Sequence, residues 1–499
     1  MILRRDAVCV LAFLLLAAPA GARAKDASSH NLDAAGYNDL GSEKYNQGDL
    51  DGAITAFDQA VKLNPKFAQA YYNRGVVKYD QGSLDAAIAD YDTAIRLNPR
   101  YEDAYVNRAL ARNDRNDLDG AIADDSAALK LNPKDAYAYN NRGWSKYRKG
   151  DFKAALADYN QAVSLDPMLA QSYNDRGVLE RDQGDPASAV LDFNHALVLD
   201  PLNPQTMLNR AQAKKDQGDD AGAEADDGKA IAMNPKDADA YLDRGDIKFD
   251  AGDYAGAADD YSQANDLTST SSTWNKLGLA HYHLGETDTA RENYDKAISL
   301  DGQNGSAYNN RGNLERYLSD FPAALADYNQ ALEIDPKSSE AANDRGILKQ
   351  AQGDLAGAVE DYNQAIALDP KNAEAYSNLG SARIEQGRWK EGMESCTQAL
   401  NYAWKFAQAR DNRGVAEYHL HQYKDAMKDF DAALEVDPDD EDAYNNRGLT
   451  EQAQGDLDAA LFDFNRALTI TPDFPQARKN RGWAEYHAGQ WLAALRDLL

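Results

Sequence analysis

The chain has 499 residues, 53 basic against 82 acidic, for a formal charge of −29, and it carries only two cysteines. Charge of that sign and size excludes nucleic acid and anionic lipid as partners drawn by electrostatics. Length alone suggests about three domains, a prior that the internal organisation overrides.

Residues 1–24 read as a secretory signal peptide. Arg4 and Arg5 give the positive start, Ala7 to Ala18 the apolar run, and Ala22-Arg23-Ala24 a small-x-small cleavage site. The run is too short to span a bilayer, and no later stretch is apolar enough to do so. Cleavage after Ala24 places the mature chain outside the cytoplasm, secreted or in a bacterial periplasm; an uncleaved anchor is the alternative. Residues 25–33 are a linker. With Cys9 removed, Cys396 stands alone, so no intrachain disulfide forms, and its place in a core slot predicts a buried, inert thiol.

From residue 34 onward the chain repeats. The stretch Ala136 to Pro167, AYAYNNRGWSKYRKGDFKAALADYNQAVSLDP, carries Asn141-Arg142-Gly143, and near copies recur every 34 residues. The glycine slot falls at 41, 75, 109, 143, 177, 211, 245, 278, 312, 346, 380, 414, 448 and 482, with alanine at 109 and 211 and one residue lost between 245 and 278. These are copies one to fourteen below. A fixed period of this size means a solenoid whose units bury their apolar faces against one another. Within copy four the pattern predicts a first helix from Ala136 to Lys149, a left-handed stop at Gly150, an Asp151 cap and a second helix to Leu165. The Gly-Asp punctuation returns at 48–49, 184–185, 218–219, 252–253, 353–354 and 455–456.

Tyr139, Gly143, Ala155, Tyr159, Ala162 and Pro167, with equivalents in most copies, make the unit resemble the tetratricopeptide repeat over residues 34 to 499. The resemblance implies an all-α fold: an α-solenoid, a right-handed superhelix of about fourteen 34-residue helix–turn–helix repeats. It also implies that the first helices line a concave groove. One departure stands out. Where the family usually has leucine before the glycine, eleven of the fourteen copies have arginine.

The departure has an internal explanation. Arg occurs at 74, 108, 142, 176, 210, 244, 311, 345, 413, 447 and 481, and sixteen residues on stand Asp90, Asp124, Asp158, Asp192, Asp226, Asp260, Asp327, Asp361, Asp429, Asp463 and Asp497. The three leucine copies (Leu40, Leu277, Leu379) have Ala56, Asn293 and Ser395 there. This covariation predicts structural ion pairs between the two helices, Arg142 with Asp158 and likewise throughout, of a kind suited to bidentate, semi-buried contact.

Two places break the pattern. Around Leu267 to Thr273 the interrepeat proline is missing, which suggests a joint between copies one to seven (34–270) and eight to fourteen (271–499); drift in a single copy explains it equally well. Residues 373–406 carry Trp389, Gly392, Cys396 and Trp404. Asp125 and Asp227 occupy the aromatic slot of copies three and six, predicting local looseness. The last copy is truncated at Leu499, inside its second helix, so a partner, self-association through that uncapped end, or fraying is expected there.

No catalytic constellation emerges, so the chain reads as no enzyme, with no cofactor and no metal. His281/His283 and His419/His421 are two apart on helices and face apart. The run Asp437 to Asp442 lacks the spaced ligands of a calcium loop and reads as an acidic turn, with weak calcium binding left open. What remains is the groove. Before the arginine stand Asn73, Asn107, Asn141, Asn209, Asn310, Asn378, Asn412, Asn446 and Asn480, with Asp39, Asp175, Asp243 and Asp344 between them and Lys276 as exception. This row is similar to the asparagine ladder with which the repeats of O-linked N-acetylglucosaminyltransferase grip extended peptides. Satisfaction of local backbone groups is the competing reading. Tyr72, Tyr79, Trp144, Tyr147, Tyr282, Tyr418, Trp483 and Tyr486 are further groove positions, Trp144 and Trp483 foremost. The basic clamp of chaperone-binding relatives is absent. The reading is a protein-interaction scaffold binding protein or peptide segments, basic ones by charge. The alternative is a polysaccharide- or cell-wall-binding or export scaffold with a glycan as partner.

Overall fold

The computed structural model describes residues 32–498; the expected signal peptide, and the linker up to residue 31, lie outside them. Among the described residues there are 28 α-helices, from Ala34–Asn46 to Trp491–Leu498, and no strand. They pair consecutively, one pair per copy. The result is an all-α repeat solenoid.

Copy four shows how each unit is punctuated. Its first helix, Ala136–Arg148, is capped by Asp135, whose carboxylate accepts from Ala138 N. It ends one residue before the expected Lys149, and Gly150 follows at φ +82°. Asp151 then accepts from Ala154 N and starts Phe152–Leu165. Glycine suits the turn because a left-handed backbone brings no Cβ clash there. Three copies make the same turn without glycine, at Asn116 (φ 66°), Ser319 (φ 64°) and His421 (φ 61°).

The glycine slot has a different cause. A Cβ at Gly143 would lie 2.8 Å from Tyr159 Cε1, and equivalent clashes arise between Gly75 and Tyr91, Gly346 and Tyr362, and Gly414 and Phe430. Absence of a side chain on the first helix lets the ring of the second pack against it. The rings of Tyr159, Tyr328, Tyr362 and Phe430 are fully buried, each worth about 1.5–3 kcal/mol of burial. Copies three and six invert both slots together, with Ala109 facing Asp125 and Ala211 facing Asp227. Those two carboxylates are buried, and their helices, Leu118–Leu131 and Asp220–Met233, run unbroken.

The chain divides into two compact units, the first ending at Ala240 and the second spanning Tyr241–Leu499. Within each unit the core bridges successive copies. In the first, Ala155 and Tyr159 of copy four pack with Leu179 of copy five. In the second, Ala324 and Tyr328 of copy nine pack with Leu348 of copy ten. A single unit therefore cannot close its own core, which is the physical basis of the array.

Candidate interaction face

The first helices carry recurring sets of polar contacts, of which the arginine–aspartate pairs are the most regular. In copy four Arg142 Nε and Nη2 donate to Asp158 at 2.8 and 2.6 Å. The same fork recurs in Arg74–Asp90, Arg311–Asp327 and Arg447–Asp463. The other seven copies with arginine repeat it. The remaining Nη1 reaches back to the second helix of the preceding copy, to Asp58 from Arg74 at 2.6 Å and to Asp431 from Arg447 at 2.7 Å. In seven of these copies the guanidinium also lies over a tyrosine one turn earlier, Arg142 at 5.3 Å from the Tyr139 ring centre. One arginine thus ties its own helix pair together and ties that pair to its neighbour.

A second charged slot escaped the sequence reading. Four residues after the arginine, Lys78, Lys146, Lys214, Lys248 and Lys349 donate to, or pair with, the same aspartate, as does Arg112. In copies five, twelve, thirteen and fourteen that slot holds Glu180, Glu417, Glu451 and Glu485, each with a buried Oε2 lacking a hydrogen-bond partner. Burial, and then the neighbouring aspartate, push the first three of these carboxyls up to about 7. Copy nine has Glu315 instead, and Arg291 meets it with two hydrogen bonds of 2.7 and 2.6 Å. The signal was in the sequence as the 12-residue spacing from Lys to Asp.

The asparagine layer stitches consecutive first helices. Asn73 Nδ2 donates to Asn38 Oδ1 at 2.9 Å, Asn107 to the Tyr72 hydroxyl at 2.7 Å, and Asn209 to Asn174 at 2.9 Å. In the second unit Asn310 donates to Asn275, Asn378 to Asn343, Asn412 to Ser377, Asn446 to Asp411 and Asn480 to Asn445. Asn141 is buried, and its main-chain carbonyl accepts from the Ser145 hydroxyl. The amide N–H groups thus hold the copies in register. Their carbonyl oxygens also take neighbours in places, as when Gln205 donates to Asn209 Oδ1 at 3.2 Å.

The aromatic positions separate into core and surface. Tyr72 and Tyr79 are buried, Tyr79 donating to Asp114 at 2.5 Å. Tyr147 donates to Asp182, and Trp144 stacks on it with ring centres 5.4 Å apart. Tyr282 meets Tyr317 edge-on, and Tyr418 lies beside Tyr423. Trp483 is 45% exposed, 5.9 Å from the equally open Tyr486.

Other candidate groups resolve into packing. Cys396 is fully buried against Gly380, and burial pushes its thiol up to about 12. His281 contacts Glu286, His283 stacks on Tyr254, His419 stacks on Trp389 at 3.8 Å, and His421 contacts Tyr423. Asp440 caps the helix that follows by accepting from Ala443 N at 2.8 Å. Among the described residues no group of three or more His, Cys, Asp or Glu is arranged to hold a metal, and no helix is long and apolar enough to cross a membrane.

Tetratricopeptide repeat models match residues 38–101, 77–136 and 208–272, residues 269–337, and residues 136–169 and 441–474, and a TPR repeat model matches 350–387 and 414–455. No curated protein matches the chain. Among solved structures it is similar to the Cut9–Hcn1 hetero-tetramer of the APC/C (15% identity, TM-score 0.49, over 90% of this chain and 95% of that one). It is also similar to yeast Tom70 (17%, 0.39, 85% and 96%) and to a tetratricopeptide repeat protein from Parabacteroides merdae (19%, 0.40, 50% and 98%). With the repeat models spread over both units and one helix pair in every copy, the chain belongs to the tetratricopeptide repeat proteins.

Proposed function

We propose that this chain is a non-catalytic scaffold that binds extended segments of protein partners along the face formed by its first helices. The observation that carries the reading is the asparagine row. Eight of the nine amides are fixed by a bond to the neighbouring copy, so a set of polar side chains recurs along the array without depending on the partner for its order. A row of prearranged carbonyl oxygens suits a backbone of any sequence, because every non-proline residue offers one N–H. The formal charge of −29 favours basic partners. Export across a membrane, read from residues 1–24, places that work in the envelope or outside the cell.

The second reading, glycan or cell-wall binding, is favoured by Trp483, whose exposed indole beside Tyr486 offers a stacking surface. One experiment separates the two. The chain is immobilised as bait in an extract of its source cells beside a variant with Asn107, Asn310, Asn378 and Asn446 changed to alanine, folding being checked by circular dichroism. Proteins held by the first and lost by the second support the asparagine row. Equal retention on both refutes it, and recovery of glycan alone, lost on Trp483→Ala, replaces it with the second reading.

A further inference from the structure

The irregular stretch before copy eight leads to a cavity that the scaffold reading does not by itself explain. A polar hollow of about 520 Å³ opens between the first helices of copies eight, nine and ten, Ser271–His283, Gly305–Tyr317 and Ser339–Ala351. That volume lies within the usual range of ligand pockets. Its origin can be read from one slot. Six residues before the glycine, eleven copies carry Gln, Asp, Glu or Tyr, as in Gln69, Asp103, Tyr137 and Glu340, but copies eight and nine carry Ser272 and Ser306. Two successive long side chains are missing, and the hollow occupies their place.

The lining is rich in acceptors. Asn309 is 4% exposed; its Nδ2 donates to Asp344 at 2.9 Å, while its Oδ1 is buried without a hydrogen-bond partner. An unmatched buried carbonyl of this kind is costly and favours any donor that can reach it. Glu340 stands on the next copy at the exposed edge, and the surrounding protein, with Asp344 and Glu374, pushes its carboxyl up. Asp301 and Asp335 each turn one oxygen back on their own loop, accepting from Gln303 N and Lys337 N at 2.9 Å, which leaves the other. The one cation in the lining, Lys276, is already held by Asp246 at 2.6 and 2.7 Å. The hollow therefore has acceptors and negative charge in excess of donors.

We propose that this cavity takes the guanidinium of an arginine side chain from a protein partner, its N–H fork directed at Glu340 and Asn309. A guanidinium offers five N–H donors in a fixed plane, always charged, and so can meet several acceptors at once. The inference rests on the scaffold reading and names the chemistry of one recognised residue within the bound segment.

The test uses the full chain and a fluorescein-labelled Gly/Ser peptide containing arginine, with a citrulline peptide of the same length and free spermidine as competitor. Fluorescence anisotropy should show the arginine peptide binding at least ~10-fold more tightly than the citrulline one. Ser306→Gln, which installs the commonest long side chain of that slot, and Glu340→Gln should each weaken binding on the order of fivefold, while Asp103→Asn in the first unit leaves it unchanged. Equal binding of citrulline, equal losses in all three variants, displacement by spermidine at matched charge, or no binding overturns the proposal. Should Ser306→Gln keep every protein captured by the bait above and bind the peptide like the parent, the cavity falls and the scaffold stands; a bait that captures nothing refutes the scaffold independently.

Discussion

Replacing Arg447 by leucine isolates what the arginine layer contributes. Asp463 is 1% exposed and receives Arg447 Nε and Nη2 at 2.6 and 2.9 Å. The slot that elsewhere supplies a second cation holds Glu451, whose carboxyl is itself pushed up to about 7 by burial and by Asp463. Removing the guanidinium leaves a buried carboxylate beside another acid, so the loss should reach about 3–5 kcal/mol. Arg142→Leu should cost less, about 1–3 kcal/mol, because Lys146 still donates to Asp158 at 2.7 Å. Arg447→Leu with Asp463→Ala should recover most of the loss, since Leu40 and Ala56 hold the same slots in copy one. A fourteen-copy array does not unfold in two states, so the assay must be local. Hydrogen exchange of Glu441–Gln454 and Leu457–Ile470 should quicken at least ~100-fold in the first variant, since each 1.4 kcal/mol is tenfold. Equal acceleration in Arg142→Leu and Arg447→Leu, or a double variant as damaged as the single, refutes the reasoning.

Glu417 gives the pH dependence. Its carboxyl, 8% exposed and facing Asp429, Arg413, Asp425 and Lys428, is raised by burial first and Asp429 second from 4.5 to about 7. A folded value above the unfolded one means stability is fully present below about pH 4.5 and is lost as pH rises through 7; copy twelve should lose about 1–3 kcal/mol over that window, and Glu417→Gln should flatten the exchange profile. Gly143→Ala should destabilise copy four by up to about 2 kcal/mol, because the overpacking of Tyr159 exceeds the ~1 kcal/mol helix-propensity gain, and Tyr159→Leu beside it should relieve the clash; unchanged hydrogen exchange of Ala136–Arg148 in the single variant counts against the packing argument. Ser319→Gly should stabilise the turn after Gly305–Tyr317 by about 0.5–1 kcal/mol, seen as slower exchange at that helix end, and no change would mean the left-handed serine carries no strain.

The period, the helix boundaries and the arginine–aspartate spacing were legible in the sequence because each depends on local chemistry repeated many times. Gly150 and Asp151 act within one turn of chain, and Arg142 and Asp158 vary together across copies. The lysine layer is less regular and was hidden by its replacements, Glu180, Glu315, Glu417, Glu451 and Glu485, which break the pattern until Asp192, Asp327, Asp429, Asp463 and Asp497 are seen beside them. The glycine slot was recognised as a family mark, yet its reason was missed: Ala109 and Ala211 coincide with Asp125 and Asp227, a covariation that makes sense only once Tyr159 is seen packed against Gly143.

Asparagine is harder to read from sequence because its amide carries both kinds of hydrogen-bonding group. One end can stitch neighbouring copies while the other faces a partner, so the two readings of the ladder are not exclusive. Asn310 and Asn309 make the point side by side. Asn310 donates to the copy before it, to Asn275, and Asn309 to the copy after it, to Asp344, with the Asn309 oxygen left unmatched next to the hollow that Ser272 and Ser306 leave open. Nothing at position 309 itself distinguishes it from Asn140, which makes the same bond to Asp175 and has the same orphaned oxygen. The difference lies in what is missing from other helices: Tyr137 stands in copy four where copy nine has Ser306. A site made by absent side chains on successive copies leaves no motif. In a repeat protein it becomes visible when each slot is compared down the array, and the copies that depart from the common residue together are the ones to test first.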